Sequence, residues 1–294
     1  MKEMAVGFGP EGRLLGIITS PHSEGPPPDV PGVLLWNAGV VHKVGPFRLF
    51  VDMARSLAEG GFPVLRFDVS GKGDSDSQKG TLLEKERTVK DIQRAMDLMS
   101  SRKAANHFVL IGSCSGADEA FEVATVDPRV TGLILLDGFG YRTLGYYLRH
   151  YGPRLFKFGV WWRFFKELVR GMVNRLMPAA KDDFKRGWIF LREFAPKEVN
   201  EAKLKGLLQR QVNMLFVYSG GVEKYYNYQD QFRDMFKNLD FQNRITVEYF
   251  PEADHTYPEV ASRRILIRAV SDWMRARYAL NTERGLWAPG EKVA

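Results

Sequence analysis

Between residues 33 and 136 the chain repeats one unit: a short apolar run, a polar or Gly-rich turn, then apolar residues at helical spacing. The apolar runs fall at 33–36, 63–67, 107–111 and 130–136. Residues 47–58 place Phe50, Met53, Ala54 and Leu57 on one face and stop at Gly60-Gly61, a helix C-terminal signal. Residues 88–99 do the same with Val89, Ile92, Ala95, Met96 and Met99. A further helix is expected over 117–124, after the turn at 112–116. Strands that alternate with helices in this way lie parallel, with helices covering both faces of the sheet. The pattern breaks at Asp137-Gly138 and resumes with strands at 212–218 and 244–250 and helices at 228–239 and 258–278. A Pro-rich loop at 20–32 separates early strands, and the tail 281–294 has no period.

Composition narrows the class further. The 294 residues contain a single cysteine, Cys114, so neither a disulfide framework nor a Cys-rich zinc module is available. No run approaches the ~20 apolar residues of a membrane span. The N-terminal ten residues lack a signal-peptide layout, and with one thiol the expected compartment is a reducing cytoplasm. The formal charge is +7, but residues 141–194 hold twelve Lys/Arg against four acids, so the basicity belongs to one segment.

The chemistry concentrates at Gly112-Ser113-Cys114-Ser115-Gly116, between an apolar strand and a helix. This is the G-x-Nu-x-G nucleophile elbow with cysteine in the centre. Such a turn strains its central residue and leaves room only for glycine two positions either side. It lifts the sulfur above the sheet and aims the Ser115 N–H and the helix N-terminus at a reacting carbonyl. A free cysteine is most often an inert buried thiol; the strand–turn–helix setting favours the nucleophile. Ser113 and Ser115 lack the projecting position.

With Asn37-Ala38-Gly39, the run Asp68-Val69-Ser70-Gly71-Lys72-Gly73-Asp74-Ser75 (a D-x-x-G-x-G-x-S turn) and Asp254-His255, the elbow resembles the α/β-hydrolase superfamily over nearly the whole chain except the insertion. The resemblance implies an α/β-hydrolase fold: a mostly parallel central sheet, helices on both faces and a helical cap. Asn37 to Pro46 together with the cysteine elbow resembles bacterial hydrolases linked to exosortase and polysaccharide gene clusters. Chain order in the superfamily places the catalytic histidine after the last strand, which selects His255 over His22, His42, His107 and His150. The orienting acid is expected after the strand at 212–218, where Glu223 is the first carboxylate. Asp137, Asp230 and Asp254 are the alternatives. The second oxyanion donor is expected at Gly39, or failing that Ala38, beside the Ser115 N–H; His42, in the same loop, is expected to bind substrate, with a structural role in the loop as the alternative.

The expected domains are a core over 1–140, a cap over 141–204, the rest of the core over 205–280, and a loose tail over 281–294. Residues 141–194 carry fourteen aromatics, Trp161 and Trp162 among them. Most such rings pack helices; here they also suggest an apolar substrate pocket with a cationic rim. A basic-aromatic helix over 156–175 could instead lie on an anionic membrane surface. Nucleic acid ranks last as a partner, because no recognised binding module is present. The reading is a hydrolase with a Cys114–His255–Glu223 triad, acting on an ester or thioester of an anionic or amphipathic acyl compound, carrier- or CoA-linked in one version. It uses no metal and no cofactor. An acyltransferase with the same acyl-enzyme, or a non-catalytic binding protein of this fold, are the alternatives.

Overall fold

A computed structural model describes residues 1–21, 30–77, 82–155 and 194–278. Eight strands form one sheet in the order β1-β2-β4-β3-β5-β6-β7-β8. They are β1 (Lys2–Phe8), β2 (Leu14–Ser20), β3 (Gly32–Leu35), β4 (Val64–Phe67), β5 (Phe108–Ser113), β6 (Val130–Leu136), β7 (Asn213–Ser219) and β8 (Ile245–Phe250). From β4 onward every pairing is parallel, whereas β1 and β2 form an antiparallel hairpin and β2 joins β4 antiparallel.

Strand periodicity of two sorts the apolar side chains onto two faces. Leu34, Leu65, Phe67 and Leu110 meet helices α2 (Glu84–Ser101), α3 (Ser115–Val126) and α5 (Lys197–Gln209). Val33, Leu35, Val64, Val109 and Ile111 meet α1 (Leu49–Glu59) and α7 (Val260–Arg277) on the other face. The remaining described α-helices are α4 (Leu144–Leu155) and the short α6 (Gln231–Met235). Strands buried on both sides explain why β3 to β7 read as unbroken apolar runs and not as alternations.

α1 begins at Leu49, two residues later than its apolar spacing suggested, because Phe47 and Arg48 stand at φ 47° and 65°. α5 straddles the boundary expected between cap and core at 204 and 205. Its Leu204, Leu207 and Leu208 pack in the core. The insertion's stalks meet before that point: Tyr141 Oη donates to the Ala195 carbonyl at 2.5 Å, and the Tyr141 ring stands edge-on to Phe194. The segment 156–193, with Trp161 and Trp162 and the helix expected over 156–175, lies outside the described residues, as does the tail 281–294. Among the described residues no helix is long and apolar enough to cross a membrane.

Candidate active site

β5 delivers Cys114 to the carboxyl edge of the sheet and α3 starts at the next residue. Cys114 holds φ 54°, ψ −122°, a conformation costly for a residue with a side chain. Two glycines make the turn possible. A Cβ at Gly112 would collide with the Gly116 backbone, and one at Gly116 would come within 2.9 Å of the Asn37 carbonyl. The Cys114 N–H donates to Leu136 O at 3.0 Å, which fastens the elbow to β6. Cys114 is half-buried.

The loop after β8 brings His255 over the elbow. Its Nδ1 donates to Asp137 Oδ2 at 2.6 Å, and the imidazole is also hydrogen-bonded to Cys114. Since Nδ1 faces the carboxylate, Nε2 is left for the sulfur. Asp137 immediately follows β6 and is 1 % exposed. Its Oδ1 accepts from the Ser219 N–H at 2.7 Å, and its Oδ2 accepts from Ser219 Oγ at 2.8 Å. These bonds satisfy the buried carboxylate and fix its rotamer.

This geometry corrects the acid expected from the sequence. Glu223 follows a short turn after β7 and points into solvent. Asp230 is exposed at the start of α6, and Asp254 caps its own loop through Thr256. The loop bearing His255 folds back over the end of β7, where the Gly221 N–H donates to Ala253 O. That crossing turns the imidazole toward β6 and leaves Glu223 outside.

His255 is raised to about 10, first by its bond to Asp137 and then by its bond to Cys114, with burial opposing both. The folded value lies above the ordinary 6.5. The charged imidazole therefore contributes stability that is fully present below pH 6.5 and is lost as pH rises through 10. An NMR titration of the His255 ring is expected to show a midpoint near 10, and Asp137→Asn should bring it down. A wild-type midpoint at the ordinary value would mean that these two hydrogen bonds do not form.

One of the expected oxyanion donors is already engaged. The Gly39 N–H donates to Ser115 Oγ at 3.1 Å, so the donor expected to be open is occupied by the neighbouring hydroxyl. Sequence reasoning did not find what holds this loop. Asp68 Oδ1 accepts from Asn37 Nδ2 at 2.8 Å and from the Lys43 N–H at 2.7 Å. Its Oδ2 accepts from Lys43 Nζ at 2.8 Å and the Asp74 N–H at 3.0 Å. Asn37 Oδ1 in turn accepts from the Val69 N–H at 2.8 Å. The D-x-x-G-x-G-x-S turn was the available signal: its first and last residues are linked, because Ser75 Oγ donates to the Asp68 backbone carbonyl at 2.7 Å.

Two clefts border this region. One of about 450 Å³ starts at Ser115 and runs between α2 and α3 past Val89, Phe121, Phe139 and Phe194. Its walls also carry Glu86, Asp118, Glu119 and Glu122 against Lys85. Burial pushes the Glu119 carboxyl up, opposed by the hydrogen bond that Trp36 Nε1 donates to it at 2.7 Å. His42, expected beside the substrate, instead lines the other cleft with Lys43, Arg48, Arg55 and Arg66. Among the described residues no group of three or more His, Cys, Asp or Glu is placed to hold a metal ion.

Comparison with known proteins bears on the fold. The family model described as serine aminopeptidase, S33, aligns with residues 40–181, which include the elbow and Asp137. Est1E from Butyrivibrio proteoclasticus superposes at a TM-score of 0.56, with 13 % identity, 94 % of this chain and 99 % of that one covered. The α/β hydrolase GrgF from Penicillium sp. sh18 gives 0.55, with 16 % identity over 95 % and 100 % of the two chains. A lid-less α/β serine hydrolase from Xanthomonas campestris gives 0.53, with 14 % identity over 94 % of each chain.

The chain has the α/β-hydrolase fold.

No curated protein matches it in sequence. Within the α/β-hydrolase fold, the elbow after β5, the acid after β6 and the histidine after β8 converge from three loops at one sheet edge. Where the name of the Xanthomonas structure says serine hydrolase, this chain carries cysteine at the elbow centre, with Ser113 buried at the end of β5 and Ser115 bonded to Gly39.

Proposed function

We propose that this protein hydrolyses an ester or thioester through a thioester formed on Cys114, with His255 as acid and base and Asp137 as the group that orients it. One observation carries the reading: His255 bridges a buried Asp137 carboxylate and the sulfur of a strained elbow cysteine. An imidazolium and a helix N-terminus beside a cysteine favour its thiolate. The sulfur attacks the carbonyl carbon, and the carbonyl electron pair moves onto oxygen. That oxyanion takes the Ser115 N–H and, once the Ser115 hydroxyl turns away, the Gly39 N–H. Collapse expels the alkoxide or thiolate, which leaves with the proton from His255 Nε2. Neutral His255 then takes a proton from water as its oxygen attacks the thioester. Collapse of that second adduct releases the acid and restores thiolate and imidazolium.

The cleft that begins at Ser115 suits an apolar acyl chain, since Val89, Phe121, Phe139 and Phe194 line it. The carboxylates of Glu86, Asp118 and Glu122 on the same walls repel an anionic acyl group. The basic residues that suggested an anionic substrate fall mostly on 156–193, outside the described residues.

Incubation with p-nitrophenyl esters and N-acetylcysteamine thioesters of short to medium acyl chains tests the proposal by intact mass. The expected product is free acid in many turnovers, with a transient gain of one acyl group that maps to Cys114 and is removed by hydroxylamine. Turnover with the acyl group on another residue would overturn it. So would a panel that gives neither turnover nor adduct.

A further inference from the structure

The second cleft lies against α1, and neither Cys114, Asp137 nor His255 lines it. It has a volume of about 560 Å³ with an apolar floor of Ile17, Val44 and Val51. Three guanidiniums gather there. Arg48 stands immediately before α1, Arg55 follows on the same helix, and Arg66 projects from β4.

One carboxylate bonds to two of them. Glu3 of β1 takes Arg55 Nη2 on Oε2 at 2.7 Å and Arg55 Nε on Oε1 at 3.3 Å. Arg66 reaches Glu3 Oε1 only at 3.4 Å through Nη2, and its Nη1 reaches the Lys43 carbonyl at 3.4 Å. Its Nε has no partner among the described residues, although Arg66 is 4 % exposed. A buried guanidinium ordinarily has its donors satisfied and its charge matched. Here burial and the nearby charges of Arg55 and Arg48 all push the Arg66 pKa down, and Glu3 alone opposes them.

The other charges around the cleft do not supply the missing anion. Lys43 is engaged by Asp68 and Asp74, and Asp52 acts only at a distance, on Arg55. Arg48 is exposed and has no carboxylate partner among the described residues. His42 stands exposed in the same wall, able to add a donor.

We propose that this cleft is an anion site for a phosphoryl dianion, either free phosphate or the phosphomonoester end of a small metabolite, held by Arg48, Arg55 and Arg66. Geometry and charge select that chemistry over a carboxylate. Three planar forks converging from a strand and a helix offer more donors than one flat carboxylate can accept, and Glu3 already shows it by leaving Arg66 half-satisfied. A tetrahedral dianion presents at least three acceptor oxygens and two charges. The site does not depend on Cys114, so it stands or falls separately from the hydrolase reading.

Isothermal titration calorimetry of the whole protein at low ionic strength tests it, with sodium phosphate, phenyl phosphate and sodium acetate as probes. Saturable binding of one phosphate per chain is expected, with acetate about tenfold weaker or worse. Arg48→Gln and Arg55→Gln should each weaken phosphate binding about tenfold, and Cys114→Ala should leave it unchanged. Glu3→Gln is the informative variant. Removing the competing carboxylate should tighten binding about threefold, whereas a purely structural arginine cluster would bind no better. Tighter binding of phenyl phosphate than of phosphate assigns the monoester; equal or weaker binding assigns the free ion. The proposal fails if phosphate does not saturate, if acetate binds as well, if the arginine variants bind like the wild type, or if Glu3→Gln binds more weakly.

Discussion

Cys114→Ala is expected to lower kcat/KM for a p-nitrophenyl ester by about 10⁴-fold or more and to remove the acyl adduct, leaving the fold intact. A loss of that size corresponds to about 5 kcal/mol of transition-state stabilisation. It follows from the absence, among the described residues, of a second nucleophile in position. Ser113 is buried in β5, and Ser115 Oγ accepts from the Gly39 N–H and faces the oxyanion loop. The more demanding variant is Cys114→Ser. His255 is held protonated by Asp137 and Cys114, up to about 10. A charged imidazole suits a thiolate that is already ionised, but it is a poor base for a hydroxyl that must lose its proton during attack. Serine is therefore expected to restore little, with activity about 10²-fold or more below wild type. Steady-state kinetics with equal active-site loading would decide the matter. A serine variant retaining most of the activity would sink the thiolate mechanism while leaving the hydrolase in place.

Some features of this site can be read from one dimension and some cannot, and the difference is physical. Strands buried on both faces announce themselves as apolar runs, so β6 falls at 130–136 as expected and β3, β5 and β7 within two residues at each end. The elbow is legible for a similar reason. Its glycines answer a local collision between Gly112 and Gly116, and local sterics leave local marks. His255 follows from chain order. The hairpin of β1 and β2 left a weaker mark because β1 has one largely exposed face and no apolar run. α6 is shorter than its spacing suggests because the ladder of Phe232, Phe236 and Phe241 packs across a turn. The occupied Gly39 N–H and the Asp68 network depend on which loops touch, and no local pattern records that. The acid is the sharpest case. Two neighbouring strands, β6 and β7, each end near a carboxylate, and only the path of the loop carrying His255 decides between them.

That decision makes the second large prediction. Asp137→Asn is expected to lower kcat by about 10³- to 10⁴-fold, while Glu223→Gln stays within about twofold of wild type. Asp137 accepts on Oδ1 from the Ser219 N–H and on Oδ2 from Ser219 Oγ and His255 Nδ1. An asparagine has one acceptor oxygen. The Ser219 N–H is fixed by the backbone of β7 and claims it, which turns the amide NH₂ toward the imidazole. A donor facing Nδ1 forces the neutral tautomer with hydrogen on Nε2, the nitrogen that must hold and release the catalytic proton. The charged state loses its counter-ion in the same step, so thiolate and imidazolium are no longer favoured together. Glu223 is exposed and does not contact the imidazole, so its amide changes neither tautomer nor charge there. Thermal unfolding of both variants separates catalysis from stability, because a merely unfolded Asp137→Asn protein would lose its cooperative transition along with its activity. A folded Asp137→Asn enzyme near wild-type rate, or a Glu223→Gln enzyme down by orders of magnitude, would return the acid to the loop after β7.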